Sequence, residues 1–167
     1  MGPRRAVELI RAGVDGVNVH VRPDSLNAPF QLTASGINAL PELYGLAVFA
    51  QVARARSRLL DSTLVSSALL HLKAWATRTS SLTTVLLINK GARVAIVTIP
   101  APAADPRAAV LRRLLAPGIG AEHFVRYAGR WIGSDGRWHG RELTGATGAT
   151  RGSIRCSYRR SVRSRSP

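Results

Sequence analysis

The chain is poor in several residue types, and each shortage excludes something. Its single cysteine, Cys156, rules out an internal disulfide and any paired-cysteine metal site. The four histidines, His20, His71, His123 and His139, show no metal-ligand spacing, so the sequence implies neither a metal nor another cofactor. No apolar run approaches the roughly 18 residues of a membrane-spanning helix, since Asp61 and His71 bracket the longest candidate. A membrane partner is therefore not expected. Residues 1–5 have the charge of a signal-peptide start, but Glu8 and Arg11 interrupt the apolar stretch of roughly 7–15 residues that should follow. The sequence does not assign a cellular location. Acidic residues number only 9, against 24 basic ones, and among the latter only Lys73 and Lys90 are lysines.

What remains is ordinary for a folded domain. A chain of 167 residues that is 46% hydrophobic has the size to bury a real core. Its net charge of +15 is unevenly spread: residues 151–167 hold six arginines and no acid, leaving +9 for the first 150. Such a charge can mark a polyanion partner. Arginine in place of lysine, with abundant alanine, glycine and proline, is also what a GC-rich genome encodes, and that origin is favoured for most of the charge.

Residues 6–12 read as a short helix stopped by Gly13, and residues 16–21 (GVNVHV) as a strand buried on both faces, as in parallel sheets. A parallel strand needs neighbours joined by crossover helices, and none follow. Residues 22–37 form a long loop leaving the carboxyl end of that strand, the end where α/β folds place ligands. Residues 40–56 read as a helix, with Pro41 and Glu42 suiting its first turn and Arg54 and Arg56 its last. Leu43, Leu46, Ala47, Ala50 and Ala53 share one face that could pack on a sheet. From Leu59 the pattern turns to β. Residues 63–76 are rich in Val, Leu, Ser and Thr, while 82–88 and 93–99 read as a hairpin joined through 89–92. Residues 107–115 fit a short helix or a strand equally well. In GRWIGSDGRWHG (129–140), Asp135 and Gly136 suit a tight turn that would pack Trp131 against Trp138.

The order AGVDGVNVH, PELYGLAVFAQ, LKAWATR, LLINKG and AGRWIGSDGRWHG resembles the C-terminal third of glycoside hydrolase family 79, which includes bacterial β-glucuronidases and heparanase-like enzymes. The resemblance covers about residues 6–145. It implies an α+β fragment: residues 1–58 a remnant of a (β/α)8 barrel comprising its last βα unit, residues 59–150 an antiparallel β-sandwich domain, and residues 151–167 a basic tail, disordered or frameshifted. It further implies retaining hydrolysis at uronic acids, which requires two carboxyl groups about 5 Å apart. In that family both come from strands upstream of the matched segment, so this chain is expected to hold no catalytic residue and to be inactive alone. Its implied partners are a uronic-acid-containing glycan and a missing N-terminal barrel portion.

Three residues are substrate-binding candidates on the same resemblance. His20 lies on the strand at its substrate end, against the plainer reading of a core histidine bonded to backbone. Asp24 lies just beyond the strand, where a lone carboxylate is more often a loop or cap residue. Tyr44 falls where many relatives carry two adjacent aromatics, here Leu43 and Tyr44. Trp131, Trp138 and Tyr127 could form a carbohydrate-facing aromatic surface, although paired hairpin tryptophans more often simply pack. The expected β pattern stops near Gly145, and the arginine- and serine-rich tail suggests either a shifted reading frame or a nucleic-acid-binding segment. Three functions follow: an inactive glycosidase fragment, a carbohydrate- or protein-binding sandwich, and a nucleic-acid binder acting through the tail. Unpaired strand edges would make the chain poorly soluble alone.

Overall fold

The computed structural model describes residues 3–14, 18, 22, 28–65, 71–91, 94–100, 109–118, 120–145, 148–150 and 153–158. The fold is mixed α+β, with two helices and mostly antiparallel sheets. The first helix, α1 (Pro3–Arg11), ends as its sequence predicts. Gly13 takes a φ of +84°, its N–H donates to Ile10 O, and Val14 N–H reaches back to Leu9 O, so the left-handed glycine closes the last turn. The strand expected at 16–21 lies outside the described residues, apart from Asn18, which is exposed and in no strand.

Part of the long loop expected at 22–37 is a hairpin, β1 (Phe30–Thr33) with β2 (Gly36–Ala39). Thr33 Oγ1 donates to Gly36 O at 3.0 Å across its turn. The next element, α2 (Pro41–Val52), starts at Pro41 but stops before Arg54 and Arg56, which therefore do not close its last turn. Two tertiary demands end it there. The buried Thr77 hydroxyl donates to Val52 O at 2.8 Å, and Arg56 enters the left-handed region at φ +61° to turn the chain into β3 (Arg58–Leu60). The buried face is Tyr44, Gly45, Val48 and Val52, not the predicted Leu43–Ala47–Ala50 face. Because α2 is apolar around its circumference, helical spacing alone does not choose a side.

β3 pairs with β4 (Leu72–Arg78), and β4 with β5 (Thr83–Asn89), through a turn in which Leu82 N–H donates to Thr79 Oγ1 at 3.0 Å. The strand β6 (Ala95–Pro100) exists as predicted, but it is not the hairpin partner of β5. It pairs over six residues with β12 (Ser153–Tyr158), which also pairs with β11 (Gly148–Thr150). The alternation in each sheet explains the exchange. On β6, Ala95 and Val97 are buried while Ile96 and Thr98 are exposed, so the strand has one core face, and that face meets the β4–β5 sheet. Leu72, Ala95, Val97 and Cys156 form this core, with Leu87 and Ile99 at its margin. Residues 153–158, within the tail expected to be disordered or frameshifted from 151, form the strand β12; residues 159–167 lie outside the described set.

The opposite face of the β4–β5 sheet carries Trp75 and Leu86, cross-strand partners that pack against Val7 of α1 and Val48 and Val52 of α2. The boundary expected between residues 58 and 59 falls inside β3, and this core spans it. The segment left open at 107–115 ends as a strand: β7 (Leu114–Leu115) pairs with β8 (Arg126–Tyr127). Ala128 (φ +50°) and Gly129 (φ +78°) then make a turn into β9 (Trp131–Ile132), which pairs with β10 (Trp138–His139).

Candidate functional site

The predicted Trp131–Trp138 packing does not occur. A two-residue turn at Asp135 and Gly136 would set Trp138 opposite Gly133, on the same face as Trp131. The loop instead spans residues 133–137, closed by Gly133 N–H donating to Arg137 O at 2.9 Å. The register is therefore Trp131 with His139 and Ile132 with Trp138. That one-residue slip sends the two tryptophans to opposite faces.

Each face has its own chemistry. On the outer face Trp131 is 39% exposed, with Arg126 Cζ 4.8 Å from its ring centroid and the His139 ring nearly parallel at 6.1 Å. His139 Nε2 and Asp135 Oδ1 are 2.8 Å apart, and this hydrogen bond is the main cause holding the Asp135 carboxyl below its usual pKa, with the Arg137 N–H contributing. On the inner face Trp138 meets the edge of Tyr44 at 5.8 Å and Tyr127 at 6.2 Å. Tyr44 is 3% exposed, and its hydroxyl accepts the Ile132 N–H at 2.9 Å. These contacts fasten α2 to the hairpin, a packing role for the Tyr44 expected to contact substrate. His20 and Asp24 lie outside the described residues.

Beside Trp138 a cleft of about 410 Å³ opens between α2 and the β8–β10 region. Ala47, Ala50 and Gln51 form its helical wall, which is why the predicted packing face of α2 is not buried. The facing wall carries Tyr127, Arg130, Trp138, Arg112 and Glu142. Arg112 Nε donates to Glu142 Oε1 at 2.7 Å, neutralising that pair. Among the described residues Arg130 has no such counter-charge: its Cζ lies 5.6 Å from the Trp138 centroid, an Nη donates to Trp138 O at 3.4 Å, and Nε is buried with no hydrogen-bond partner. Burial raises the Tyr127 pKa, with Arg112 opposing, so the phenol stays a neutral donor.

The cleft thus offers an indole, a phenol hydroxyl, a guanidinium and small apolar residues. Among the described residues Glu142 is the one lining carboxylate and it is tied to Arg112, so these residues do not supply the carboxyl pair a retaining hydrolysis needs. The arrangement suits a ring-shaped, singly charged anion. Among the described residues no group of three or more His, Cys, Asp or Glu side chains could hold a metal ion. Arg112, Arg130 and Glu142 carried no signal in the sequence, because a turn and a 30-residue separation bring them together. Neither models of known protein families nor curated proteins match this chain.

Proposed function

We propose that this chain is the C-terminal part of a family 79-type glycoside hydrolase, the end of its barrel followed by a β-sandwich, and that it does not hydrolyse glycosides by itself. The observation that carries this reading is the convergence of the resembling motifs. PELYGLAVFAQ supplies Tyr44 and Val48, LKAWATR supplies Trp75, and GRWIGSDGRWHG supplies Ile132 and Trp138; Tyr44 bonds to Ile132 and touches Trp138, while Val48 packs with Trp75. The face-to-face meeting of the β4–β5 and β6–β12 sheets is what a sandwich module requires.

The test is to sequence the gene upstream of Met1 and co-express whatever frame is found. A barrel-coding frame with two glutamates at strand ends is expected, with aryl β-glucuronide hydrolysis appearing only when both parts are present. Turnover by residues 1–167 alone, or an upstream region encoding no such barrel, rejects the reading.

A second reading, a carbohydrate-binding module, is favoured by the Trp138–Tyr127–Arg130 cleft. It expects glucuronate-containing oligosaccharides to bind, with the loss falling on Arg130→Ala and not on Trp131→Ala. Equal loss from both variants would refute a role for this cleft.

A further inference from the structure

The two lysines of a chain whose cations are otherwise arginines come together at one place. A second cleft, of about 360 Å³, is lined by Arg4, His71, Leu72, Lys73, Ile88 and Lys90. It sits at the end of the β4–β5 ladder beside α1. Lys73 stands opposite Ile88 in the register, and Lys90 N–H donates to His71 O at 3.0 Å, continuing the ladder beyond the Leu72–Asn89 pair. Gly91 N–H donates to Asn89 Oδ1 at 2.9 Å, which fixes the turn that carries Lys90. Arg4 comes from the first turn of α1, where there is no acidic residue and where the helix dipole adds to the same positive potential.

Among the described residues no acidic side chain lines this cleft. The ion pairs among the described residues, Arg112–Glu142 and His139–Asp135, lie elsewhere. Three like charges around one concavity repel one another unless an outside group compensates them. A monocarboxylate would leave two charges uncompensated. A phosphate group carries about −1.5 to −2 at neutral pH and three acceptor oxygens, and lysine ammonium groups are suited to it as point charges. Leu72 and Ile88 add an apolar surface for a carbon skeleton. Among the described residues the only ring lining the cleft is the His71 imidazole, and no Phe, Tyr or Trp provides a platform on which successive nucleic-acid bases could stack.

We propose that the Arg4–Lys73–Lys90 cleft binds the phosphate monoester of a small hydroxylated molecule, a site independent of the glycosidase reading and separate from the Trp138 cleft. The test is calorimetric titration of the full chain with glucose 6-phosphate, glucose 6-sulfate and glucose, repeated at two salt concentrations. The phosphate ester is expected to bind in a salt-weakened manner, the singly charged sulfate ester more weakly and glucose not at all; a sulfate ester that binds as tightly as the phosphate ester would overturn the charge argument. Lys73→Ala/Lys90→Ala should weaken binding by about tenfold or more, and Lys73→Arg/Lys90→Arg should retain it. Arg137→Ala/Arg141→Ala removes the same charge elsewhere, from exposed positions, and should change affinity less than about twofold. Absence of ester binding, or equal loss in the two alanine pairs, would overturn the site. So would a single-stranded oligonucleotide that displaces the ester through the same lysines at far lower phosphate concentration.

Discussion

Tyr44 joins two elements separated by 88 residues through one hydroxyl. Tyr44→Phe keeps the ring contact with Trp138 but leaves the Ile132 N–H without its acceptor. The expected loss is about 1–3 kcal/mol, read as a lower urea midpoint at unchanged slope. Gly36 is equally specific. Its φ is +124°, and a Cβ would run into the carbonyl of Ser134, the group that accepts Ile37 N–H at 2.9 Å. Gly36→Ala should cost about 1–3 kcal/mol through forced backbone displacement, whereas Gly13→Ala, with open space around it, meets only the conformational penalty. Asp135 supplies a pH signature. Its carboxyl is depressed on folding, so its contribution is present above the unfolded carboxylate range and is lost as pH falls through the folded pKa. Asp135→Asn should therefore flatten the acid limb of the stability profile and leave the profile's shape above neutrality unchanged, as followed by thermal melts from pH 2 to 8.

At the scale of elements, the strand β12 has a direct probe in Cys156. The thiol is 6% exposed, lies 3.8 Å from Val97 O, and has its pKa raised by burial. Because it is the only cysteine, alkylation reports on this strand alone. Iodoacetamide should modify native protein far more slowly than urea-unfolded protein; equal rates would mean that β12 is not docked. Strand and helix positions were legible in the sequence where a local rule decides them. Gly13 stops α1 through its own conformation, Pro41 starts α2, and runs of Val, Leu, Ile and Thr mark β5 and β6. Pairing was not legible. The turn residues 89–92 suggested a β5–β6 hairpin, but the single apolar face of β6 finds its partner in residues 153–158, whose Ile154 and Cys156 are obscured in the sequence by the neighbouring Arg155 and serines. The site was legible only as an aromatic concentration. Its two faces depend on a loop of five residues where two were expected, and a one-residue difference in a hairpin is beyond what turn propensity can specify.

At the scale of the molecule, α1 and α2 cover one face of the β4–β5 sheet while β6 and β12 cover the other. The charge of residues 151–167 is therefore mounted partly on a structural strand. Deleting 151–167 should expose Ala95, Val97 and the edge of β6, giving aggregation and loss of cooperative unfolding instead of a selective loss of nucleic-acid binding; a soluble deletion protein that melts as sharply as the full chain would contradict this. The placement of β12 between β6 and β11 also has a consequence during synthesis. β6 leaves the ribosome with its core face exposed, and the strand that completes it is made more than 50 residues later. At about 5–20 residues per second, that interval is roughly 3–10 s. During it β6 is an apolar strand without a partner, so the second sheet forms last and is the stage at which chaperone binding or mispairing between nascent chains competes with folding.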